Sequence, residues 1–347
     1  MQIEARDSPG VSARLMERSG PAIQSLAAAL RRISHPQVLT VARGSSDHAA
    51  SHLAYLLLSR LGWVAASLPP SAVTLHQAPI GGPQVAALAL SQSGQSPDLV
   101  AALSHLRARG ALTAAFVNAT ASPLAAAAEH VVDLCAGPEQ SVAATKSFIA
   151  ELVAGLCLFA ELADDDAVRR ALPALPGLLQ RAVLADWSTA VDQLRTADRL
   201  FVIGRGAGLA IAAEMALKFK EVCGIQAEAF SGAEVRHGPQ ALIEAGYPVL
   251  ILAVRGPEQA GLLRLAGDLQ RRGARILIMA PQGSLHVECP AATWVDIATS
   301  TGAAEGSAMF DAASAIQSFY LMVEALARSR GLEPDHPPHL AKVTRTT

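Results

Sequence analysis

Two stretches of small hydroxyl residues, one helix-spaced trio of charges and a loop histidine are the groups whose types and spacing could do chemistry. Gly44-Ser45-Ser46-Asp47 and Ser91-Gln92-Ser93-Gly94-Gln95-Ser96-Pro97-Asp98 each follow an apolar run and precede a helical pattern. A helix start offers free N–H groups and a positive dipole end, and hydroxyls with glycine let an anion come close. The second stretch holds no Lys or Arg, so an anion there would rest on neutral donors. Ordinary N-capping by Ser or Asp accounts for one such turn; two in one half weigh towards a bound phosphate. Farther on, Glu214, Lys218 and Glu221 stand at i, i+4 and i+7 and share one helical face. A solvated ion-pair stripe would have the same spacing. Against it, Ile211, Met215, Leu217, Phe219 and Val222 make this helix apolar most of the way round, and buried charges need partners or a function. His237 sits in the loop Arg236-His237-Gly238-Pro239, unremarkable by itself. His48 and His52 have the spacing of a metal pair but lack an evident third ligand, and His336 and His339 fare no better; no metal site is expected.

The elements that must position these groups repeat along the chain. Val38 to Gly44 (VLTVARG) and Leu200 to Gly206 (LFVIGRG) are apolar runs ending in Arg-Gly, with their last glycines 162 residues apart. Val85 to Gly94 and Val249 to Gly256 match more loosely at the same offset, and Gly110 and Gly273 close two helix tails at an offset of 163. Short apolar runs bounded by glycine and separated by helical patterns imply parallel strands buried on both faces. The expected fold is α/β: two tandem doubly wound parallel-sheet domains related by an internal repeat. The expected divisions are an N-terminal helical segment (1–27), a first domain (28–170), a linker (171–189), a second domain (190–332) and an extended tail (333–347). In the linker two prolines should interrupt helices, and a helix is expected through Trp187. Ligands of such sheets sit beyond the carboxyl ends of strands, where both serine stretches fall. Their counterparts in the second half, Gly206-Ala207-Gly208 and Val254-Arg255-Gly256, have lost the serines. A requirement of the fold should appear in both copies; a ligand site need appear in only one. Gly204-x-Gly206-x-Gly208 is not the GxGxxG spacing of a dinucleotide site.

Composition narrows the classes. The chain has 347 residues, 51% of them hydrophobic and 17% charged, with a net charge of −2. That near-balance argues against a nucleic-acid binder and against a disordered chain. Mean hydropathy is +0.30, yet the longest apolar stretches fall far short of the ~20 residues of a membrane span. The N-terminus carries early charges and no apolar signal region. Cys135, Cys157, Cys223 and Cys289 are widely spaced without a CxxC, so free thiols and a cytoplasmic location are expected.

Taken together, these pieces resemble the sugar isomerase (SIS) family, above all the isomerase half of glucosamine-6-phosphate synthase. The resemblance rests on both serine stretches, on Ala136-Gly137-Pro138-Glu139 with Val142-Ala143-Ala144-Thr145-Lys146, on Glu214 to Glu221, on Ala227 to Phe230, on Glu234 to Pro239 and on Asp335 to Lys342. It implies that Gly44, Ser45, Ser46, Ser91, Gln92, Ser93 and Ser96 hold a sugar phosphate and that Val142 and Ala144 line the sugar pocket. By the same resemblance Glu221 shuttles a proton between C1 and C2, and His237 opens the ring from a neighbouring subunit. Lys342 lies near the carbonyl carbon, with Lys218 and Glu214 in support. Ala144 stands where the synthase usually has serine. The synthase also begins with a glutaminase domain, whereas only a short helical segment precedes the first sheet here; glutamine hydrolysis is not expected. Isomerase-type glucosamine-6-phosphate deaminases, whose tails read close to His339 to Thr344, are the nearer resemblance. It implies an enzyme without cofactor or metal, acting as a homodimer on an amino-sugar phosphate. An aldose–ketose isomerase, a deglycase and a non-catalytic sugar-phosphate sensor remain the alternatives.

Overall fold

Continuous apolar runs become the middle of each sheet. In a computed structural model that describes residues 1–284, 288–300 and 307–342, Val85–Ser91 (β3) is buried at every position and Pro248–Leu252 (β8) likewise. Strands covered on both faces by helices have no solvent side on which to place polar residues.

The chain forms two compact units. The first comprises residues 10–139 and 146–172 with the tail from Ala341. Its five strands are β1 (Gln37–Val41), β2 (Val64–Ser67), β3, β4 (Leu112–Val117) and β5 (His130–Asp133). They are all parallel, in the order β2-β1-β3-β4-β5. The second unit comprises residues 1–9, 140–145 and 173–340. Its strands are β6 (Arg199–Gly204), β7 (Gln226–Ser231), β8, β9 (Arg275–Pro281) and β10 (Thr293–Ile297), again parallel, in the order β10-β9-β8-β6-β7. Counted from β6, this is the order of the first sheet read from its other edge, a doubly wound α/β arrangement with one reversal of strand order. Long α1 (Gln2–Leu30) precedes both sheets in sequence.

The repeat extends into the helices. After β1 comes α2 (Ser45–Leu61) and after β6 comes α10 (Ala207–Cys223); each has 17 residues, and their starts keep the 162-residue offset. Both begin from a glycine of nearly the same backbone, Gly44 at φ 55°, ψ −133° and Gly206 at φ 60°, ψ −137°. A positive φ there is open to glycine and strained for other residues. The remaining helices are α3 (Pro70–Thr74), α4 (Pro97–Ala108), α5 (Pro123–Ala127), α6 (Lys146–Ala163), α7 (Asp166–Ala171), α8 (Leu175–Ala182), α9 (Ser188–Leu194), α11 (Gln259–Arg271) and α12 (Asp311–Ser329).

Pro173 and Pro176 break the helices of the join as expected, the first in a short 3₁₀ turn and the second in the first turn of α8. The helix expected through Trp187 is not continuous: α8 stops at Ala182 and Trp187 is the residue before α9, with non-helical φ −114° and ψ 9°. From residue 331 to Lys342 the chain has turns and bends but no helix or strand, in keeping with its three prolines. Residues 343 and 344 of the tail motif lie outside the described residues. No helix among the described residues is long and apolar enough to cross a membrane.

Candidate active site

The two serine loops occupy the carboxyl ends of β1 and β3, in the first unit. Ser96 is the N-cap residue of α4, but its side chain makes no capping hydrogen bond, and the N-cap of α2 is Gly44 itself. Capping therefore leaves these hydroxyls unexplained. Ser91 Oγ accepts from Gly94 N at 3.0 Å and Ser93 Oγ accepts from Gln95 N at 3.3 Å. A serine oxygen that accepts within the loop keeps its own proton to donate outward. Ser46 differs, since its hydroxyl donates to buried Glu151 at 2.7 Å. Gly94 has φ 61°, and a Cβ there would fall 2.6 Å from the Cβ of Ser122, so the loop closes on Ser122 only with glycine.

The copy in the second unit is occupied by its own chain. At the repeat position of Ser93 stands Arg255, whose Nη2 and Nε donate to the buried carboxylate of Asp311 at 2.6 and 2.8 Å.

That unit's candidate groups lie in α10. Lys218 Nζ is 2.6 Å from Glu221 Oε2 and 3.3 Å from Glu214 Oε1, and Tyr320 of α12 donates to Glu214 Oε1 at 3.0 Å. The side chains of Lys218 and Glu214 are 0% exposed, that of Glu221 22%. Burial pulls the Lys218 pKa down, but the two carboxylates outweigh it and hold it above the ordinary lysine value. The face shared by these charges is thus a buried network rather than a solvated stripe, and of Glu214, Lys218 and Glu221 the last alone has open surface. Glu221 lines a cavity of about 330 Å³ together with Lys220, Leu332, His336, Pro337 and Leu340.

Sheet geometry places this network away from the expected end. α10 starts at the carboxyl end of β6 and runs back for 17 residues, about 25 Å at 1.5 Å per residue. Glu221, in its last turn, lies where the chain enters β7. The carboxyl-end rule describes the serine loops and not this carboxylate, because a long helix returns its far end to the strand starts.

His237 ends a 3₁₀ turn (Glu234–His237), is exposed, and lies across the sheet from Glu221. Alternate residues of β6 and β8 (Phe201, Ile203, Val249, Ile251) share a core with Leu262 and Leu269 of α11, and Val235 and Ile243, which bracket His237, belong to that core. Arg236 also pairs with Asp268 of α11 at 2.9 Å. α10 packs with α12 on the other face, where Cys223 Sγ donates to the Val323 carbonyl at 3.4 Å. Side chains on one strand alternate between faces, so the sheet stands between Glu221 and His237 of one chain.

Lys342 groups with the first unit, its Nζ donating to Glu139 Oε2 at 2.9 Å. Glu139 is buried and also accepts from Ser147 N at 3.1 Å and Ser147 Oγ at 2.7 Å. Glu139 was given no role from sequence, although Ala136-Gly137-Pro138-Glu139 is one of the pieces carrying the resemblance. Val142 and Ala144, both partly exposed, group instead with the second unit, and Val142 N donates to the tail carbonyl of Asp335 at 3.1 Å. Among the described residues no three His, Cys, Asp or Glu groups gather as metal ligands, and the four cysteines are free. Burial pushes His52 down to about 4, and its Nε2 has no hydrogen-bond partner.

The SIS domain family matches residues 33–161 and 193–327, one copy for each sheet. The chain belongs to that family. It is 34% identical over 322 residues, 88% of its length, to the glutamine–fructose-6-phosphate aminotransferase (isomerizing) of Aeropyrum pernix, and spans about half the length of such relatives (50% of that protein). The crystal structure of a presumed phosphosugar isomerase from Silicibacter pomeroyi is 40% identical, with a TM-score of 0.88 over 96% of this chain and 99% of that one. The glucosamine-6-phosphate deaminase of Thermotoga maritima, 22% identical, shares the fold with a TM-score of 0.72 over 98% of this SIS chain and 100% of its own.

Proposed function

We propose that this SIS protein is an amino-sugar phosphate deaminase that converts glucosamine 6-phosphate and water into fructose 6-phosphate and ammonia. The reading rests most on one observation: a buried lysine is clamped between two carboxylates, of which only Glu221 has open surface. The names of its relatives, a fructose-6-phosphate aminotransferase and a presumed phosphosugar isomerase, support the substrate class.

The phosphate is the handle. Hydroxyls of Ser91, Ser93 and Ser96 with the N-termini of α2 and α4 hold it, and binding energy spent there orients C1 and C2. His237 of a second copy opens the ring, since its own sheet separates it from Glu221 of its own chain. Glu221 takes the proton from C2 of the open-chain aldehyde and delivers it to C1. The C2 amine thereby becomes an iminium; water adds at C2, ammonia leaves, and a C2 ketone remains. Lys218, 2.6 Å from Glu221 Oε2, holds that carboxylate in place, and Lys342 stabilises charge near C1 and C2 or forms a transient imine. The working unit is a homodimer, and light scattering should give twice the chain mass; a fully active monomer would contradict it.

Ammonia and ketose are assayed together after incubation with several amino-sugar phosphates, with and without glutamine. Equal amounts of both without glutamine support the deaminase; ketose alone makes the protein an aldose–ketose isomerase; tight binding without turnover makes it a sensor. A deglycase of glycated amino acids is the second reading, favoured by the cavity beside Glu221, which is larger than ammonia needs and carries Lys220 and His336. Release of a free amino acid would establish it.

A further inference from the structure

We infer that Arg43, held by Asp98, is the cation of the anion site in the first unit, and that the pair fixes the two serine loops at one spacing. The inference rests on the phosphate reading above and adds a residue that the sequence, with no Lys or Arg in the second loop, left out.

Arg43 is the last residue before Gly44, and Asp98 is the second residue of α4. Arg43 Nε and Nη2 both donate to Asp98 Oδ2, at 3.0 and 2.9 Å, while Asp98 Oδ1 accepts from Leu99 N at 2.9 Å. One side chain thus ties the turn after β1 to the helix that follows the turn after β3. The Asp98 side chain is 4% exposed and that of Arg43 50%. Buried Asp98 needs its cation, whereas Arg43 has open surface and an Nη1 that donates to none of the described residues. Held by two of its nitrogens, the guanidinium presents the third in a fixed direction, the geometry in which arginine binds oxyanions well. It also places a positive charge between an incoming phosphate and the Asp98 carboxylate.

The internal repeat supplies the control. Arg205 stands 162 residues after Arg43, also directly before the turn glycine, and the counterpart of Asp98 is Ala260. Arg205 is exposed, and its side chain makes no hydrogen bond or ion pair among the described residues. The same strand, glycine and helix form there without a clamp, so the fold does not require one. The clamp occurs only in the copy that keeps the serines.

The test is titration of the full chain with inorganic phosphate by calorimetry, and steady-state kinetics with glucosamine 6-phosphate, for the wild type, Arg43→Gln, Arg43→Lys and Arg205→Gln. Arg43→Gln should weaken phosphate binding and raise KM about tenfold with kcat within about twofold, and the deficit should shrink as salt is raised. Arg43→Lys keeps the charge but loses the two-nitrogen grip and should fall between. Arg205→Gln should match the wild type. An Arg43→Gln chain that folds and binds phosphate within about twofold of wild type overturns the inference. Should that variant fail to fold, unchanged phosphate affinity in Arg43→Lys overturns it equally. A wild-type chain that binds no phosphate would remove the site itself, a different failure from a site indifferent to Arg43.

Discussion

The helices α2 and α10 are one element built twice, and they differ where it matters. Both run 17 residues from a glycine of the same conformation. At one repeat position α2 has His52 and α10 has Glu214, both buried. His52 stays neutral with an unpartnered Nε2, whereas Glu214 is tied to Lys218 and Tyr320. At their starts the difference is reversed: α2 opens with Ser45-Ser46 and α10 with Ala207-Gly208. Features common to both copies, the glycine turn and the strand order, are what the fold needs. Features confined to one copy, hydroxyls in the first and a buried acid–lysine network in the second, are not needed by the fold and are the ones the proposed reaction uses.

The comparison breaks most sharply at Glu221. Glu221→Gln should lower turnover about a thousandfold while phosphate affinity stays within about twofold; ammonia release near the wild-type rate would show the α10 network to be structural only. Next is Lys218→Met, which strands buried Glu214 beside Glu221. A loss of roughly 3 kcal/mol in urea denaturation is expected, and an unchanged midpoint would mean that the network is not held by its cation.

The two helices should also respond to pH in opposite ranges. His52 has a folded pKa of about 4 against 6.5 in the unfolded chain. As pH falls below 6.5 the unfolded chain takes a proton that the folded one refuses, so stability drops by about 2 kcal/mol from pH 7 to pH 5. His52→Leu should flatten that slope; an equally steep loss in the variant would place the acid sensitivity elsewhere. Lys218 is shifted upward, so its contribution is full below the ordinary lysine value and is lost only as pH rises through the higher folded value. The smallest effect belongs to single hydroxyls. Ser93→Ala should weaken phosphate binding about fivefold, near 1 kcal/mol for one neutral hydrogen bond, and leave kcat unaltered; no change in KM would assign Ser93 to the loop alone.

How much was legible follows strand position. The runs at β1, β3 and β4, and at β6, β8 and β9, stand out in the sequence, and they are the three middle strands of each sheet. The outer strands do not stand out. Val64–Ser67 is mostly exposed, and Gln226–Ser231 and Thr293–Ile297 mix buried with open positions. An outer strand has one neighbour and less cover, so its sequence carries no continuous apolar run. The trio on α10 was legible because helical spacing is local. Glu139 with Lys342, and Arg43 with Asp98, were not, because 203 and 55 residues separate the partners.

By itself, then, the sequence determined the repeated α/β plan, the serine turns at strand ends and the one-faced array of Glu214, Lys218 and Glu221. All of these are set by backbone periodicity and glycine conformation over a few residues. Only the tertiary structure decided that Glu221 alone of its network meets solvent, that a sheet separates it from His237, and that Arg43 is clamped by Asp98. Burial and pairing depend on which distant segments share a face, and no local pattern encodes that.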